Sequence, residues 1–321
     1  MTTWREEIAV TSPLPGDALD RLARRFPVRV RPEGEPLDEA GLIGFIGEAA
    51  AAITLLADPV TAEVLERCPR LRVVANYAVG YDNIDLDAAR RLGIWVTNTP
   101  DVLTAATADL TWALILAVTR RVVEGDAMVR AGRFTGWKPD LLLGSGLQGK
   151  TLGILGFGRI GRAVARRAPA FGMEVLFTSR KPVADGPGRW VDLDGLLAGS
   201  DILSVHCPLT PQTRHLLDEA RLRRLRPGAF VVNTARGPIV DEAALARLLA
   251  EGHLAGVGLD VYEHEPRVEP ALLSMDRAVL LPHVGSATVE TRSAMAGLAA
   301  ANVEAVLDGR EPPAAVVRGR S

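Results

Sequence analysis

The sequence has few cysteines, almost no net charge and no long apolar run. Its two cysteines, Cys68 and Cys207, lie far apart and form no Cys-x-x-Cys pair, which excludes a disulfide framework and a zinc knuckle. A formal net charge of −2 provides no field that would attract a nucleic-acid backbone or an anionic membrane surface. The longest apolar stretch, Trp112 to Val118, is about half of the roughly 20 residues that a membrane-spanning helix needs.

The overall composition is that of an ordinary globular protein. Of the 321 residues, 48% are hydrophobic and 24% are charged, which is enough to bury one or two cores. The first residues lack a basic region followed by an apolar run, so they do not resemble a secretory signal. We therefore expect a cytoplasmic protein that binds neither nucleic acid nor membranes.

Short aliphatic or β-branched runs alternate with longer stretches of helical period, which is the pattern of βαβ units on a parallel sheet. The pattern predicts an α/β fold with two series of strands. Helices are predicted over Asp17–Phe26, Ala105–Ala131 and Thr288–Leu307. The predicted strands are Ile8–Thr11, Val28–Val30, Ile53–Leu56, Arg72–Tyr77 and Ile94–Thr97, then Thr151–Leu155, Glu174–Thr178, Ile202–His206, Phe230–Asn233, Gly256–Leu259 and Val279–Leu281.

A glycine-rich turn follows the predicted strand Thr151–Leu155. Gly156 permits a tight turn, Gly158 lets the backbone approach a pyrophosphate, and Gly161 lets helix and strand pack closely. The N-terminus of the following helix presents unpaired N–H groups to the anion. The alternative is an ordinary glycine-rich turn between a strand and a helix. The turn predicts a dinucleotide site that comprises Gly156, Phe157, Gly158, Arg159, Ile160 and Gly161.

The end of the next predicted strand bears on the choice of cofactor. Sites of this type usually carry an Asp or Glu there, which binds the adenosine ribose hydroxyls. Here the residues are Ser179, Arg180 and Lys181, and a hydroxyl beside two cations suits a 2′-phosphate. We therefore expect NADP(H) to be preferred, with NAD(H) possible. In the alternative interpretation, Arg180 and Lys181 are solvated and Ser179 binds the ribose of either cofactor.

Three further predicted strands end in polar residues. Arg236 follows one, an acidic cluster with Glu263 and Glu265 follows the next, and His283 follows the third. The carboxyl ends of neighbouring parallel strands converge on one crevice, where ligands usually bind. A proton donor and an anion-binding Arg beside a dinucleotide site predict hydride transfer to a carbonyl. Taken singly, His283 could be structural, and Arg236 could pair with Asp260 to close a loop.

The other histidines carry weaker signals. We expect His206 to line the cofactor crevice, and His215, His253 and His264 to lie at the surface or at helix ends. Nothing pairs them at the spacing of metal ligands along a helix or strand, so no metal site is predicted.

Together these motifs resemble the D-isomer-specific 2-hydroxyacid dehydrogenase family, and most of all its glyoxylate and hydroxypyruvate reductases. The resemblance runs from end to end and includes Asn76–Asp85, the glycine-rich turn, His206–Thr213 and the three polar strand ends. It implies two Rossmann-like or flavodoxin-like doubly wound parallel-sheet domains with a cleft between them. Residues 1–99 and 287–321 would form the substrate-binding domain, and residues 100–286 the dinucleotide-binding domain.

By this resemblance, Arg236, Glu265 and His283 are the catalytic residues. His283 would protonate the carbonyl oxygen, Glu265 would pair with His283 and favour its charged form, and Arg236 would bind the substrate carboxylate. The backbone N–H groups of Val79 and Gly80 would hold that carboxylate from the other side. Further cofactor contacts are implied for Cys207, Pro208, Thr213, Thr234, Ala235, Asp260 and Ser286.

The resemblance also bears on assembly and on the choice of substrate. The segment 105–149 resembles the family's dimerisation element, which implies a homodimer. Trp137 within it is expected either to reach the partner's active-site mouth or to pack in the interface. The expected reaction is the reduction of glyoxylate or hydroxypyruvate to the D-2-hydroxy acid. The alternatives are a 2-ketogluconate, phosphoglycerate or phosphite enzyme of the same family, or a nicotinamide-sensing protein like the corepressors that resemble it.

Overall fold

The computed structural model of the protein describes residues 6–182 and 186–320. The N-terminal residues 1–5, on which the argument against a secretory signal depends in part, lie outside the described residues. So do residues 183–185 and 321, which fall within the predicted domain ranges.

The helices and strands alternate along most of the described chain. The first elements are β1 (Ile8–Val10), α1 (Ala18–Ala23), β2 (Val28–Val30), α2 (Glu39–Ile46), β3 (Ala51–Thr54), α3 (Ala62–Arg67), β4 (Val73–Asn76), α4 (Leu86–Leu92), β5 (Trp95–Thr97), α5 (Thr104–Arg120) and α6 (Val122–Arg130). They are followed by β6 (Thr151–Leu155), α7 (Arg159–Arg167), β7 (Glu174–Thr178), β8 (Arg189–Trp190), α8 (Leu193–Gly199), β9 (Ile202–Val205), α9 (Glu219–Leu222), β10 (Ala229–Asn233), α10 (Glu242–Ala250), β11 (Leu254–Leu259), β12 (Ala278–Leu280), α11 (Val289–Leu307) and β13 (Ala315–Val317).

The chain divides into two compact units, of which the first is discontinuous in sequence. Met1–Leu103 and Ser286–Ser321 form the first unit, and Thr104–Gly285 forms the second. The sequence predicts ranges of 1–99 plus 287–321 and of 100–286. Ser286, which the sequence assigns to the dinucleotide domain, therefore falls in the first unit.

The sheet of the first unit has the strand order β13-β5-β4-β3-β1-β2. All neighbours are parallel except β13, which runs antiparallel to β5. Without this edge strand, the order is the flavodoxin-like one. Alternate strand residues pack on opposite faces, as the pleat requires. On one face, Ile8, Ile53 and Val73 pack with Ala299 and Val303 of α11.

The sheet of the second unit has the strand order β12-β11-β10-β9-β6-β7-β8, and all its pairs are parallel. This is the Rossmann order, which reverses direction between β6 and β9. Helix α5 covers one face through Leu114, Ile115 and Val118. Helix α10 covers the other face through Leu245 and Leu248. The predicted α/β class with two doubly wound parallel sheets is confirmed.

Several elements of the structure differ from the sequence-based prediction. Strands β8 and β13 were not predicted, and the single helix predicted over Ala105–Ala131 is wrong. Arg121 adopts a left-handed conformation with φ 53°, which ends α5 and begins α6. The Arg121 guanidinium donates two hydrogen bonds to Glu124, at 2.8 and 2.6 Å, and these contacts stabilise the break. Of the helices that the structure describes, none combines the length and apolar character needed to cross a membrane.

Candidate active site

Most of the predicted site residues lie at one edge of the sheet in the second unit. Because all pairs in this sheet are parallel, the residues that follow its strands share the carboxyl edge. The glycine-rich turn follows β6, and Ser179 follows β7. The edge continues with Cys207 after β9, Arg236 after β10, Asp260 and Glu265 after β11, and His283 after β12.

In the glycine-rich turn, backbone segments pack too closely to leave room for side chains at two of the glycines. Gly156 has φ 99°, and a Cβ placed there would lie 2.4 Å from the backbone nitrogen of Cys207. A Cβ at Gly161 would lie 2.2 Å from the carbonyl oxygen of Gly156, so helix α7 packs directly on the turn. At Gly158, by contrast, a Cβ would meet no atom within 4 Å. Open space therefore lies beside this glycine.

The N-terminus of α7 adjoins that space. Gly158 is its N-cap and supplies no side-chain acceptor to the first-turn N–H groups, which begin at Arg159. Such a helix end favours an anion. The Phe157 side chain faces the core instead, where its ring stacks on Phe177 with centroids 3.7 Å apart. The turn fits a dinucleotide pyrophosphate through its backbone, and the Phe157 ring has a packing role.

The segment after β7 carries no carboxylate as far as it is described. Ser179 Oγ donates a hydrogen bond to the carbonyl of Lys181 at 2.6 Å, which closes a tight turn. Arg180 and Lys181 are exposed at this turn. The turn therefore places a hydroxyl and two cations where the family of dinucleotide sites usually has an acidic residue.

The turn after β9 is internally bonded. His206 donates to or accepts from Ser204 Oγ at 2.8 Å, and burial lowers the pKa of His206 to about 3, so the imidazole is neutral. Burial also raises the pKa of the Cys207 thiol to about 11, which makes it an unreactive wall residue. Thr213 Oγ1 donates to the carbonyl of Pro208 at 2.7 Å and closes the loop that follows.

The turn after β10 presents Arg236. Asn233 shapes it, because its Nδ2 donates to the carbonyl of Arg236 at 2.9 Å and its Oδ1 accepts from the N–H of Ala235 at 3.0 Å. Thr234 Oγ1 lies 2.9 Å from Thr111 Oγ1 of α5, in a buried hydroxyl pair. The arginine side chain donates from Nη1 to the carbonyl of Ala235 at 2.8 Å.

Glu265 and His283 form a hydrogen-bonded pair. His283 Nδ1 lies 2.8 Å from Glu265 Oε2, and Glu265 Oε1 accepts from the N–H of Tyr262 at 3.0 Å. Burial opposes ionisation of Glu265, but the hydrogen bond and charge of His283, with the charge of Arg236, lower the pKa of Glu265 below 4.5. Glu265 is therefore ionised near neutral pH and holds the imidazole through Nδ1.

Asp260 holds the turn that carries His283. The Asp260 side chain is 1% exposed, and its two oxygens accept from the N–H groups of Val284 and Gly285 at 2.7 and 2.8 Å. His283 itself has φ 54°, in the left-handed region that histidine adopts only occasionally. Asp260, which the resemblance predicts as a cofactor contact, therefore has a clear structural task, the support of a strained histidine.

The sequence interpretation missed the supporting role of Glu242 and the carboxylate partner of His215. Glu242 is buried at the start of α10, and its carboxylate accepts from the N–H groups of Glu263 and Glu269, the latter at 3.3 Å. It therefore ties together both ends of the loop that presents Glu265. His215, expected at the surface or at a helix end, has a partly exposed side chain whose Nε2 lies 2.5 Å from Glu263 Oε1. No periodic pattern marks either residue, because the partners come from another strand end.

Val79 and Gly80 follow β4 in the first unit. Their carbonyls accept hydrogen bonds from Asn98 Nδ2 and Asn76 Nδ2, at 2.8 and 2.7 Å. Trp137, in the segment 105–149, is 82% exposed. Among the described His, Cys, Asp and Glu residues, no group of three or more is arranged to hold a metal ion.

Comparison with known proteins gives the same family over nearly the whole chain. The family described as D-isomer specific 2-hydroxyacid dehydrogenase, NAD binding domain, matches residues 112–285. A glyoxylate reductase from Thermococcus litoralis is 45% identical over 317 residues, 96% of either chain. A solved Thermus thermophilus protein matches with a TM-score of 0.93 at 50% identity, over 97% of this chain and 100% of its own. An NADPH-dependent glyoxylate/hydroxypyruvate reductase from Sinorhizobium meliloti, solved with NADP and malonate, matches with a TM-score of 0.90 at 36% identity, over 99% of either chain.

Proposed function

Because the chain belongs to the D-isomer specific 2-hydroxyacid dehydrogenase family, we propose that it reduces glyoxylate to glycolate, or hydroxypyruvate to D-glycerate, with NADPH. The carrying observation is the 2.8 Å hydrogen bond between His283 Nδ1 and Glu265 Oε2, at the same sheet edge as the glycine-rich turn. A proton donor and a dinucleotide turn on one edge are what a carbonyl reduction requires.

His283 is the proton donor in this proposal. The bond to Glu265 occupies Nδ1 and leaves Nε2 as the nitrogen that faces a reacting oxygen. The proton on Nε2 moves to the carbonyl oxygen of the substrate as its carbon is reduced. Glu265 and Asp260 act on the histidine: the first orients the ring and the second fixes the backbone turn.

Arg236 binds the substrate carboxylate. Its planar guanidinium presents parallel N–H groups that match two carboxylate oxygens, and it adds positive charge beside the carbonyl being reduced. The turn that Asn233 stabilises fixes the position of the Arg236 backbone, from which the guanidinium extends. Val79 and Gly80 of the first unit bind the carboxylate through backbone N–H groups.

The dinucleotide binds along the carboxyl edge of the second sheet. The bound nicotinamide supplies the hydride. Gly158 and the N-terminus of α7 bind the pyrophosphate, and Ser179, Arg180 and Lys181 bind the 2′-phosphate, which is the basis of the NADPH preference. The walls of the site comprise Gly156, Ile160, Gly161, Cys207, Pro208, Thr213, Thr234, Ala235 and Ser286.

The active form is a homodimer built on the segment 105–149. Helix α6 buries none of its residues within the described chain, so its apolar side chains need a partner surface. The exposed large apolar residues of the segment are Val122, Val123, Val129, Phe134, Trp137 and Leu143. A C2 dimer supplies the same patch twice. Light scattering that gives the 34.2 kDa monomer mass at micromolar concentration would contradict this.

The deciding experiment is the oxidation of reduced nicotinamide by the purified protein. NADPH and NADH are each combined with glyoxylate, hydroxypyruvate, pyruvate and 2-ketogluconate, and the loss of absorbance is followed. Fast NADPH oxidation with either of the first two substrates supports the reaction, the substrate class and the cofactor preference together. Tight cofactor binding without turnover of any substrate would contradict the proposal and favour a nicotinamide-sensing protein.

A further inference from the structure

Two asparagine side chains hold consecutive carbonyls of the loop after β4. The carbonyl of Gly80 accepts from Asn76 Nδ2 at 2.7 Å, and the carbonyl of Val79 accepts from Asn98 Nδ2 at 2.8 Å. Asn76 is the last residue of β4, and Asn98 follows the neighbouring strand β5. Asn76 is fully buried and Asn98 is 9% exposed. Two buried amides thus fix the orientation of two successive peptide groups.

These two hydrogen bonds also determine the directions in which the neighbouring backbone N–H groups point. In a trans peptide group, the carbonyl and the N–H point in opposite directions. Because Asn98 holds the carbonyl of Val79, the N–H of Gly80 points away from Asn98. Because Asn76 holds the carbonyl of Gly80, the N–H of Tyr81 points away from Asn76.

A third peptide group of the same loop is fixed in the same way. The carbonyl of Ala78 accepts from the backbone N–H of Thr99 at 2.9 Å, so the N–H of Val79 points away from Thr99. Within the part of the chain that the structure describes, the N–H groups of Val79, Gly80 and Tyr81 donate to no protein acceptor. Successive backbone N–H groups are a common type of binding site for anions.

The two amides are themselves held in place. Asn76 Oδ1 lies 3.4 Å from both Thr54 Oγ1 and Asn83 Nδ2, so its Nδ2 faces the loop. The backbone of Asn98 is held on both sides: its N–H donates to Ala314, and its carbonyl accepts from the buried Asn302 Nδ2, each at 3.3 Å. The orientation of the loop therefore originates in the interior of the first unit.

We propose that Asn76 and Asn98 are positioning residues that hold the N–H groups of Val79, Gly80 and Tyr81 as a cradle for the carboxylate of the 2-oxo acid. The inference rests on the proposed function for the identity of the anion. It adds the N–H of Tyr81 to the contacts that the sequence predicts, and it assigns a role to two side chains that touch no substrate. The cradle recognises the carboxylate by oriented dipoles and without a charged side chain.

The test uses the full chain with Asn98→Ala, Asn98→Asp and Asn76→Asp. The aspartate variants keep the shape of the side chain and remove the donor. We expect KM for glyoxylate to rise about tenfold in each, because one oriented N–H contact is lost from substrate and transition state alike. The kcat and the Kd for NADPH should stay within about twofold. The Kd for oxalate, a carboxylate probe that is not reduced, should rise by the same factor as KM.

Asp38→Ala is the matched control. It removes the N-cap of α2, where Asp38 Oδ1 accepts from the N–H of Gly41 at 2.8 Å, and it leaves the loop after β4 unaltered. We expect a lower Tm with unchanged KM and oxalate affinity. The asparagine variants should instead show a raised KM, with a Tm equal to that of Asp38→Ala or higher.

Two outcomes would overturn the inference while the proposed function stands. One is a wild-type enzyme that reduces glyoxylate, with folded asparagine variants whose KM and oxalate Kd are unchanged. The other is a fall in Tm, kcat and cofactor affinity together, which indicates a packing role. If the wild type reduces no 2-oxo acid, the proposed function fails, and the oxalate titration of wild type and variants still decides whether the cradle binds a carboxylate.

Discussion

Glu265 joins His283 to the turn after β11. Its Oε2 lies 2.8 Å from His283 Nδ1, and its Oε1 accepts from the backbone N–H of Tyr262 at 3.0 Å. Because both oxygens are engaged, the carboxylate is fixed, and the imidazole that it holds is fixed with it. The geometry of the His283 imidazole is thus set by a neighbouring strand end.

Replacing His283 by Ala should lower kcat for glyoxylate reduction by about 10²- to 10⁴-fold, the usual contribution of a general acid. The Kd for NADPH should remain unchanged, and fluorescence of the bound cofactor measures it. His253→Gln is the control, because His253 precedes β11 and lies at the amino edge of the sheet. Retention of most of the turnover by His283→Ala would show that another group supplies the proton.

The activity should have an acid limit set by Glu265. The pKa of this carboxyl is lowered below 4.5, so its ionised form and its pairing with His283 persist above that value and are lost as the pH falls through the lowered pKa. We expect kcat/KM to fall on this account as the pH approaches the lowered pKa of Glu265. Glu265→Gln should remove that limit and lower kcat by roughly 10- to 100-fold, as expected for the loss of one charge-assisted hydrogen bond. An unchanged acid limit in Glu265→Gln would assign it to another group.

Arg236→Lys should lower kcat/KM for 2-oxo acids by roughly 10- to 100-fold. A single ammonium replaces the guanidinium fork, so one of the two carboxylate contacts is lost. Steady-state kinetics with glyoxylate measure the change, and the affinity for NADPH provides the internal control. Full activity of the lysine variant would place the carboxylate contact elsewhere.

Arg180→Ala should reduce the preference for NADPH over NADH. The loss of one charge-assisted contact to the 2′-phosphate should lower kcat/KM with NADPH by roughly 10- to 100-fold and leave kcat/KM with NADH nearly unchanged. Arg90→Ala, which removes an exposed arginine of α4, is the control. An equal change with both cofactors would mean that Arg180 supports the fold and does not select the cofactor.

Glu242→Ala should destabilise the protein and impair catalysis together. The substitution leaves the buried N–H groups of Glu263 and Glu269 without their acceptor, which costs about 1–3 kcal/mol in the free energy of unfolding. Because the same loop presents Glu265, kcat should also fall. Urea unfolding and glyoxylate kinetics check both effects against Glu33→Ala, an exposed glutamate. A large loss of stability with a normal kcat would show that the hydrogen bonds of Glu242 do not determine the position of Glu265.

Structural features are predicted best from the sequence where the local backbone geometry allows only one type of residue. Gly156 and Gly161 stand where any side chain would collide with the backbone, and the preceding strand β6 is mostly buried and aliphatic, so both signals are strong. Strand β13 escapes prediction because it runs antiparallel to β5, which a pattern of parallel βαβ units does not indicate. The break at Arg121 also escapes, because no Gly or Pro marks it.

The supporting residues of the site show where sequence reasoning ends. Asn98 and Glu242 act through backbone groups that lie 19 and 21 or more positions away in the chain. From the sequence alone, a polar residue at the end of a strand or the start of a helix gives the same signal in three cases. It can cap the helix, face solvent or form hydrogen bonds to a distant loop. Only the tertiary structure reveals which carbonyl or N–H it meets.

The discontinuity of the first unit has a consequence for synthesis on the ribosome. Residues 6–103 emerge first, but the side chains of Ala299 and Val303 that complete their core belong to α11. At about 5–20 residues per second, the intervening residues 104–285 take about 10 to 40 s to be made. During that time β1 to β5 expose an apolar sheet face while the second unit, continuous in sequence, can already fold. The nascent chain can therefore complete its second unit before α11 arrives to complete the core of the first.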